Sequence, residues 1–150
     1  MYKVLFLCTG NSCRSILAEA ILNHYGQPRF QAYSAGSQPT GQVNPDSLAV
    51  LEKFGLSNQG FKSQSWDEFS EIDFDIVITV CDNAANETCP LYLGKAIKVH
   101  WGLPDPDKVV QNRYQAFEDT FVRLKYWIEQ LIGLQDQEMN QKNIQEIIKE

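Results

Sequence analysis

Tyr2-Lys3-Val4-Leu5-Phe6-Leu7-Cys8-Thr9-Gly10-Asn11-Ser12-Cys13-Arg14-Ser15 is the stretch that decides how this chain folds. The run from Tyr2 to Leu7 is β-rich and apolar, and it breaks off at a small polar loop. A helical period then starts near Arg14, with Ile16, Leu17, Ala20, Ile21 and Tyr25 on one face and Gly26 to close it. A strand that feeds a helix through a short loop is the opening unit of a βαβ fold, and open α/β sheets bind ligands at the carboxyl ends of their strands.

The residues of that loop fit an anion. N–H groups at a helix entry point inward, and the helix dipole adds positive potential. Thr9, Gly10, Asn11, Ser12, Cys13 and Arg14 are thus the expected oxyanion binders, with Gly10 letting the backbone curl and approach the ligand. Arg14 supplies a planar, bidentate fork. The same field favours a thiolate, so Cys8 is expected to have a depressed pKa and to be nucleophilic. Ser15 is near enough to give that thiolate a hydroxyl, and Asn11 can tie the loop together. A lone cysteine after a strand is ordinarily a small buried hydrophobe. Here a cysteine, five intervening residues including a glycine, and an arginine coincide with a strand-to-helix junction.

Outward from the loop, strands and helices keep alternating. Phe30 to Ser34 reads as a second strand. Asn44-Pro45 is a cap and first-turn proline, opening a helix through Leu48, Leu51 and Phe54 that stops at Gly55. Phe74 to Val80 is the strongest strand, apolar enough to be covered on both faces, and Ile97 to Trp101 is one more. A long helix follows, with Tyr114, Phe117, Phe121, Leu124, Ile128 and Leu131 on its buried side. The expected fold is α/β: a single domain over 1–134 with an open, mainly parallel sheet flanked by helices. A polar tail over 135–150, with Met139, Ile144, Ile147 and Ile148 to bury, reads as frayed or as a weakly docked short helix.

The totals narrow the partners. A chain of 150 residues buries a core without staples. A net charge of −6 argues against nucleic acid or an anionic membrane as partner, so an anionic substrate needs focused local donors. No stretch approaches the roughly 18 apolar residues of a membrane span, and the start is too short for a secretory signal. Cytoplasmic residence is the default, and there four cysteines point to catalysis, redox chemistry or metal binding more than to structural disulfides. Cys8-x4-Cys13 and Cys81-x7-Cys89 are not zinc-ribbon spacings, and His24 and His100 read as helix-surface and strand-end residues, so no metal and no cofactor is expected. Cys81 follows the strongest strand as Cys8 follows the first. A parallel sheet brings both to one edge, where Cys81 can attack an oxidised Cys8.

Cys8-x5-Arg14-Ser15 after an N-terminal strand, continued by Ala18-Glu19 and later Ser34-Ala35-Gly36, resembles the low-molecular-weight tyrosine phosphatase fold from about Lys3 to about Leu131. Within it the thioredoxin-linked arsenate reductases fit best. The resemblance implies Cys8 as nucleophile and Arg14 as clamp, with Asn11 and Ser15 supporting the thiolate. It implies Asp105, before Pro106, as the general acid, with Asp107 as a rival. It also implies Cys81 and Cys89 as a redox pair, reduced by thioredoxin or a glutaredoxin system, while Cys13 is structural. The phosphatases typically carry a tyrosine where Asp107 stands. Some relatives hold potassium with an Asn, Glu, Ser and Asp. Asn11, Glu19 and Ser34 match, but Gln64 stands at the place of the Asp, so no ion is expected. The implied activity is reduction of arsenate to arsenite, with phosphate or aryl phosphates as further ligands and residual phosphatase activity. The alternatives are a low-molecular-weight protein-tyrosine phosphatase, which would not use Cys81 or Cys89, and a phosphocysteine carrier, which would not need Asp105.

Overall fold

The structure is a computed structural model, and it describes residues 1–82 and 93–149. Strands β1 (Tyr2–Leu7), β2 (Phe30–Ala35), β3 (Ile76–Thr79) and β4 (Ile97–His100) form one sheet in the order β2-β1-β3-β4, with every pair parallel. Val4 to Leu7 and Ile76 to Thr79 are buried throughout, as strands covered on both faces must be. β3 is shorter than the apolar run from Phe74 to Val80, although both end residues are buried. At Asp75 the carboxylate accepts the Lys3 N–H at 2.8 Å, in addition to the backbone bonds that Asp75 makes with Lys3 and Ile97.

Helix α1 (Arg14–Tyr25) is buried over most of its circumference, because the sheet lies on one side and helix α3 (Arg113–Ile132) on the other. Helix α2 (Pro45–Lys53) begins as its sequence dictates, with the Asn44 side chain accepting the Asp46 N–H, and the chain leaves it through Gly55 at φ 79°. Phe117, Phe121, Leu124, Ile128 and Leu131 of α3 are buried as the periodicity requires. Tyr114 and Tyr25 are not: they are 41% and 39% exposed. Each sits in a terminal turn, where its ring meets a cation instead of the core, Lys53 over Tyr114 and Lys125 over Tyr25.

The residues after 134 pack more firmly than their polarity suggests. Helix α4 (Gln141–Glu146) buries Ile144, and Ile147 beyond it is buried too. Gln145 accepts the His100 N–H at 2.8 Å and donates to the His100 carbonyl at 2.6 Å. Its amide thereby satisfies backbone groups that edge strand β4 would otherwise leave open. Trp101 adds an indole N–H to the Ile144 carbonyl at 3.1 Å.

The register fixes where chemistry can sit. Leu7 lies opposite Ala35 on one side and Thr79 on the other, and Thr79 opposite His100. Cys8, Gly36, Cys81 and Gly102 therefore emerge from one edge. β1 connects outward to β2 on one side and pairs with β3 on the other, so the crevice of this sheet opens between β1 and β3. Among the described residues no helix is long and apolar enough to cross a membrane.

Candidate active site

The loop from Cys8 to Cys13 is built by its neighbours. Asn11 supplies the left-handed residue, at φ 47°, and is fully buried. Its side chain donates to Ser15 Oγ at 2.8 Å and accepts the Gln64 N–H at 2.8 Å, so one amide fixes both the helix entry and an incoming segment. Gly10, expected to let the backbone curl, has no positive φ. Its carbonyl accepts from Ser63 Oγ at 2.9 Å and from the Thr40 N–H at 3.1 Å. The close approach falls at Gly36, where a Cβ would collide with the Thr9 carbonyl oxygen and lie 2.6 Å from that of Cys8. Ser12 is held through its carbonyl, by the Asn44 N–H at 3.1 Å and Ser47 Oγ at 3.2 Å. These outer supports lie far along the chain, and only the Ser34-Ala35-Gly36 run signalled any of them.

Arg14, the first residue of α1, reaches across to the loop after β4. Its Nη1 donates to the Leu103 carbonyl at 2.8 Å, and its Nη2 lies 3.6 Å from Asp105 Oδ2. Among the described residues its buried Nε–H has no protein partner, the state of a donor suited to a bound anion. Asp105 caps the short turn Pro106–Lys108, its Oδ1 accepting the Asp107 N–H at 2.9 Å. One carboxylate oxygen is thus pinned and the other faces Arg14. Asp107 is engaged elsewhere. It accepts hydrogen bonds from Arg113 and from Asn44, and these hold its carboxyl below the ordinary range. A carboxyl so reluctant to take a proton is a poor general acid, which leaves Asp105 the better placed of the two.

Cys8 and Cys81 are buried together, 6% and 4% exposed. Thr9 turns its N–H towards Cys81 Sγ at 3.4 Å, with its hydroxyl 3.8 Å away. The thiol of Cys8 differs from expectation. Its hydrogen bond with Cys81, and then burial, push it well above the ordinary thiol range, with Arg14 pulling the other way. The loop field acts against a second sulfur, and a thiol that shares a hydrogen bond with its neighbour keeps its proton. Cys13 is buried at the helix cap beside Ser12 Oγ, 3.7 Å away, and burial is the first cause that raises its thiol. Cys89 lies outside the described residues.

Glu19, Ser34, Gln64 and Asn11 form a connected group beneath the loop. Ser34 Oγ donates to Glu19 at 2.5 Å, Gln64 Nε2 donates to the Ser34 carbonyl at 3.3 Å, and burial pushes the Glu19 carboxyl up to about 7. Asn11 Oδ1 and one Glu19 carboxylate oxygen accept internal hydrogen bonds, and Gln64 brings an amide donor where an acid would be needed. The group does not fit a bound ion, and no step is routed through one.

Comparison with known proteins adds to this geometry. Residues 3–145 match the family profile described as low molecular weight phosphotyrosine protein phosphatase. The arsenate reductase of Shouchella clausii is 36% identical over 120 residues, which is 77% of this chain and 84% of the relative. A solved arsenate reductase in the phosphate binding state superposes with a TM-score of 0.76 at 30% identity, covering 88% of this chain and 97% of the other. A thioredoxin-dependent arsenate reductase of Corynebacterium glutamicum superposes with a TM-score of 0.62 at 27% identity, over 83% of this chain and 59% of that one.

Proposed function

The chain belongs to the low molecular weight phosphotyrosine protein phosphatase family, and on that premise we propose how it works as an arsenate reductase, with Cys8 as nucleophile and Cys81 and Cys89 as the redox relay. The observation that carries the reading is the pair of buried thiols, Cys8 and Cys81, at the carboxyl ends of β1 and β3, with the Thr9 N–H beside Cys8 turned to Cys81 Sγ at 3.4 Å. A phosphatase needs the loop, the arginine and the acid, but has no use for a second thiol against the first. The phosphatase alternative is the less supported one.

The reaction divides into three exchanges. Arsenate sits in the loop, held by backbone N–H groups and the Arg14 guanidinium. Cys8 attacks as the thiolate. An S–As bond forms, an As–O bond breaks, and the departing oxygen takes the Asp105 proton and leaves as water. Cys81 then attacks Cys8 sulfur. An S–S bond forms, the S–As bond breaks, and its electron pair stays on arsenic, which leaves as arsenite. Two thiols have become one disulfide and As(V) has become As(III). Thr9 steadies the Cys81 sulfur, and an oxygen of the bound arsenate takes the Cys8 proton, which arms the nucleophile. Cys89 attacks Cys81, freeing Cys8 and leaving a Cys81–Cys89 disulfide for an external dithiol. Thioredoxin is the reductant favoured by the thioredoxin-dependent relative, with a glutaredoxin system as the other candidate. This cycle belongs in the cytoplasm, where thiols are kept reduced.

The test is arsenate-dependent NADPH oxidation by the purified chain, coupled to thioredoxin and thioredoxin reductase and, in parallel, to a glutaredoxin chain. Turnover with thioredoxin is expected. Arsenate-independent oxidation, or none with either chain, would overturn the reductase reading.

A further inference from the structure

Arg113 opens α3 and has no place in the chemistry above, yet its guanidinium joins two separate parts of the site. Nε donates to Asp46 Oδ2 at 2.7 Å, at the start of α2. Nη1 donates to the Asp107 carbonyl at 2.7 Å, and Nη2 to the Asp107 carboxylate. The same Asp107 oxygen accepts from Asn44 Nδ2 at 2.9 Å, and Asn44 both caps α2 and donates its N–H to the Ser12 carbonyl of the oxyanion loop. The guanidinium also lies over the Phe117 ring, 5.2 Å from its centroid, which fixes the plane of the fork.

Followed the other way, the network ends on the acid. The Asp107 N–H donates to Asp105 Oδ1, and Asp105 Oδ2 faces Arg14. Asp105 thus has no direct contact with Arg113, but the peptide that orients its carboxyl is clamped by Arg113 on two atoms. Across the clamp, Asp46 and Asn44 belong to the segment that holds the oxyanion loop. A single planar side chain with several rigid donors is suited to fixing two loops against each other, which a flexible ammonium would not do.

We propose that Arg113 is a positioning residue for the general acid, locking the Asp105–Asp107 turn to the α2 cap and so setting the distance between Asp105 and the oxyanion held by Arg14. The proposal rests on the assignment of Asp105 as acid. A general acid must sit within hydrogen-bond reach of the leaving oxygen, so a turn that drifts by an ångström loses most of its benefit. Asp107, at the place where the related phosphatases carry a tyrosine, works here as the handle by which the turn is held.

The experiment is a double-mutant cycle on the single-turnover rate of arsenite formation with the chain in excess. Asp105→Asn should slow that rate by roughly 10²–10⁴-fold. Arg113→Met, which keeps an unbranched apolar stem and removes the fork, should slow it by about tenfold or more, with half-saturation changed less than about twofold. In the Asp105→Asn background the same substitution should have less than about a twofold effect, because there is no acid left to position. Asp107→Ala, which removes one clamp contact and spares the Arg113–Asp46 pair, should repeat the pattern and covers the case in which Arg113→Met does not fold. Equal losses in both backgrounds would show a merely structural role and overturn the proposal. So would an unimpaired Arg113→Met beside an impaired Asp105→Asn. An unimpaired Asp105→Asn would overturn the acid assignment itself, and the proposal with it.

Discussion

Cys8 is governed by a neighbour as much as by its loop. Arg14 pulls its proton affinity down, while the hydrogen bond with Cys81 and burial push it up. The sequence motif announced the first influence, since loop and arginine are contiguous. The second arises where β1 and β3 pair: the order of strands brings Cys81 to the same edge, but the effect of that sulfur on the Cys8 proton depends on contact that no sequence pattern specifies. Cys81→Ala removes the largest upward cause and leaves Arg14 in place. The rate at which Cys8 reacts with iodoacetate, followed by mass mapping against pH, should therefore rise at lower pH in that variant than in the parent. An unchanged profile would mean that burial, not Cys81, holds the proton. Asp107 gives the complementary lesson. As a carboxylate beside a proline turn it rivalled Asp105 on sequence, and only Arg113 and Asn44, brought in from elsewhere, show that its carboxyl is already committed.

Strands and helices were easier to read than their attachments. Alternating apolar runs gave β1 to β4, and Asn44-Pro45 gave the start of α2, because those signals are local periodicities and caps. The element the pattern undervalued is α4. Its weak apolar content suggested little to bury, yet Ile144 is fully buried and the Gln145 amide serves as a hydrogen-bonding partner for the edge of β4. Periodicity cannot register a polar side chain that completes a strand. His100, the residue so held, also carries Asp82 on its ring at 2.9 Å, so α4 buttresses the chain just beyond Cys81. Ile144→Ala should cost about 2–5 kcal/mol of global stability by urea unfolding, the usual range for emptying a packed aliphatic site. A loss below about 0.5 kcal/mol would show that α4 is a passive appendage.

As a whole, the molecule is a parallel sheet whose crevice places two thiols where an oxyanion loop and an acid turn converge. An anionic chain, at net charge −6, attracts an oxyanion only through local donors, and Arg14, with its buried Nε–H, is such a donor. The family fold supplies the loop, Arg14 and Asp105. In the proposed relay, the second sulfur beside Cys8 is what converts a phosphatase-type centre into a redox one. The most direct test of that claim is to give arsenate to the Cys89→Ser variant without reductant, quench with an alkylating reagent, and map the peptides. One equivalent of arsenite and a Cys8–Cys81 disulfide are predicted, with no further turnover when thioredoxin and its reductase are added. Sustained turnover by that variant, or a fully reduced Cys8 and Cys81 after arsenite has formed, would contradict the relay.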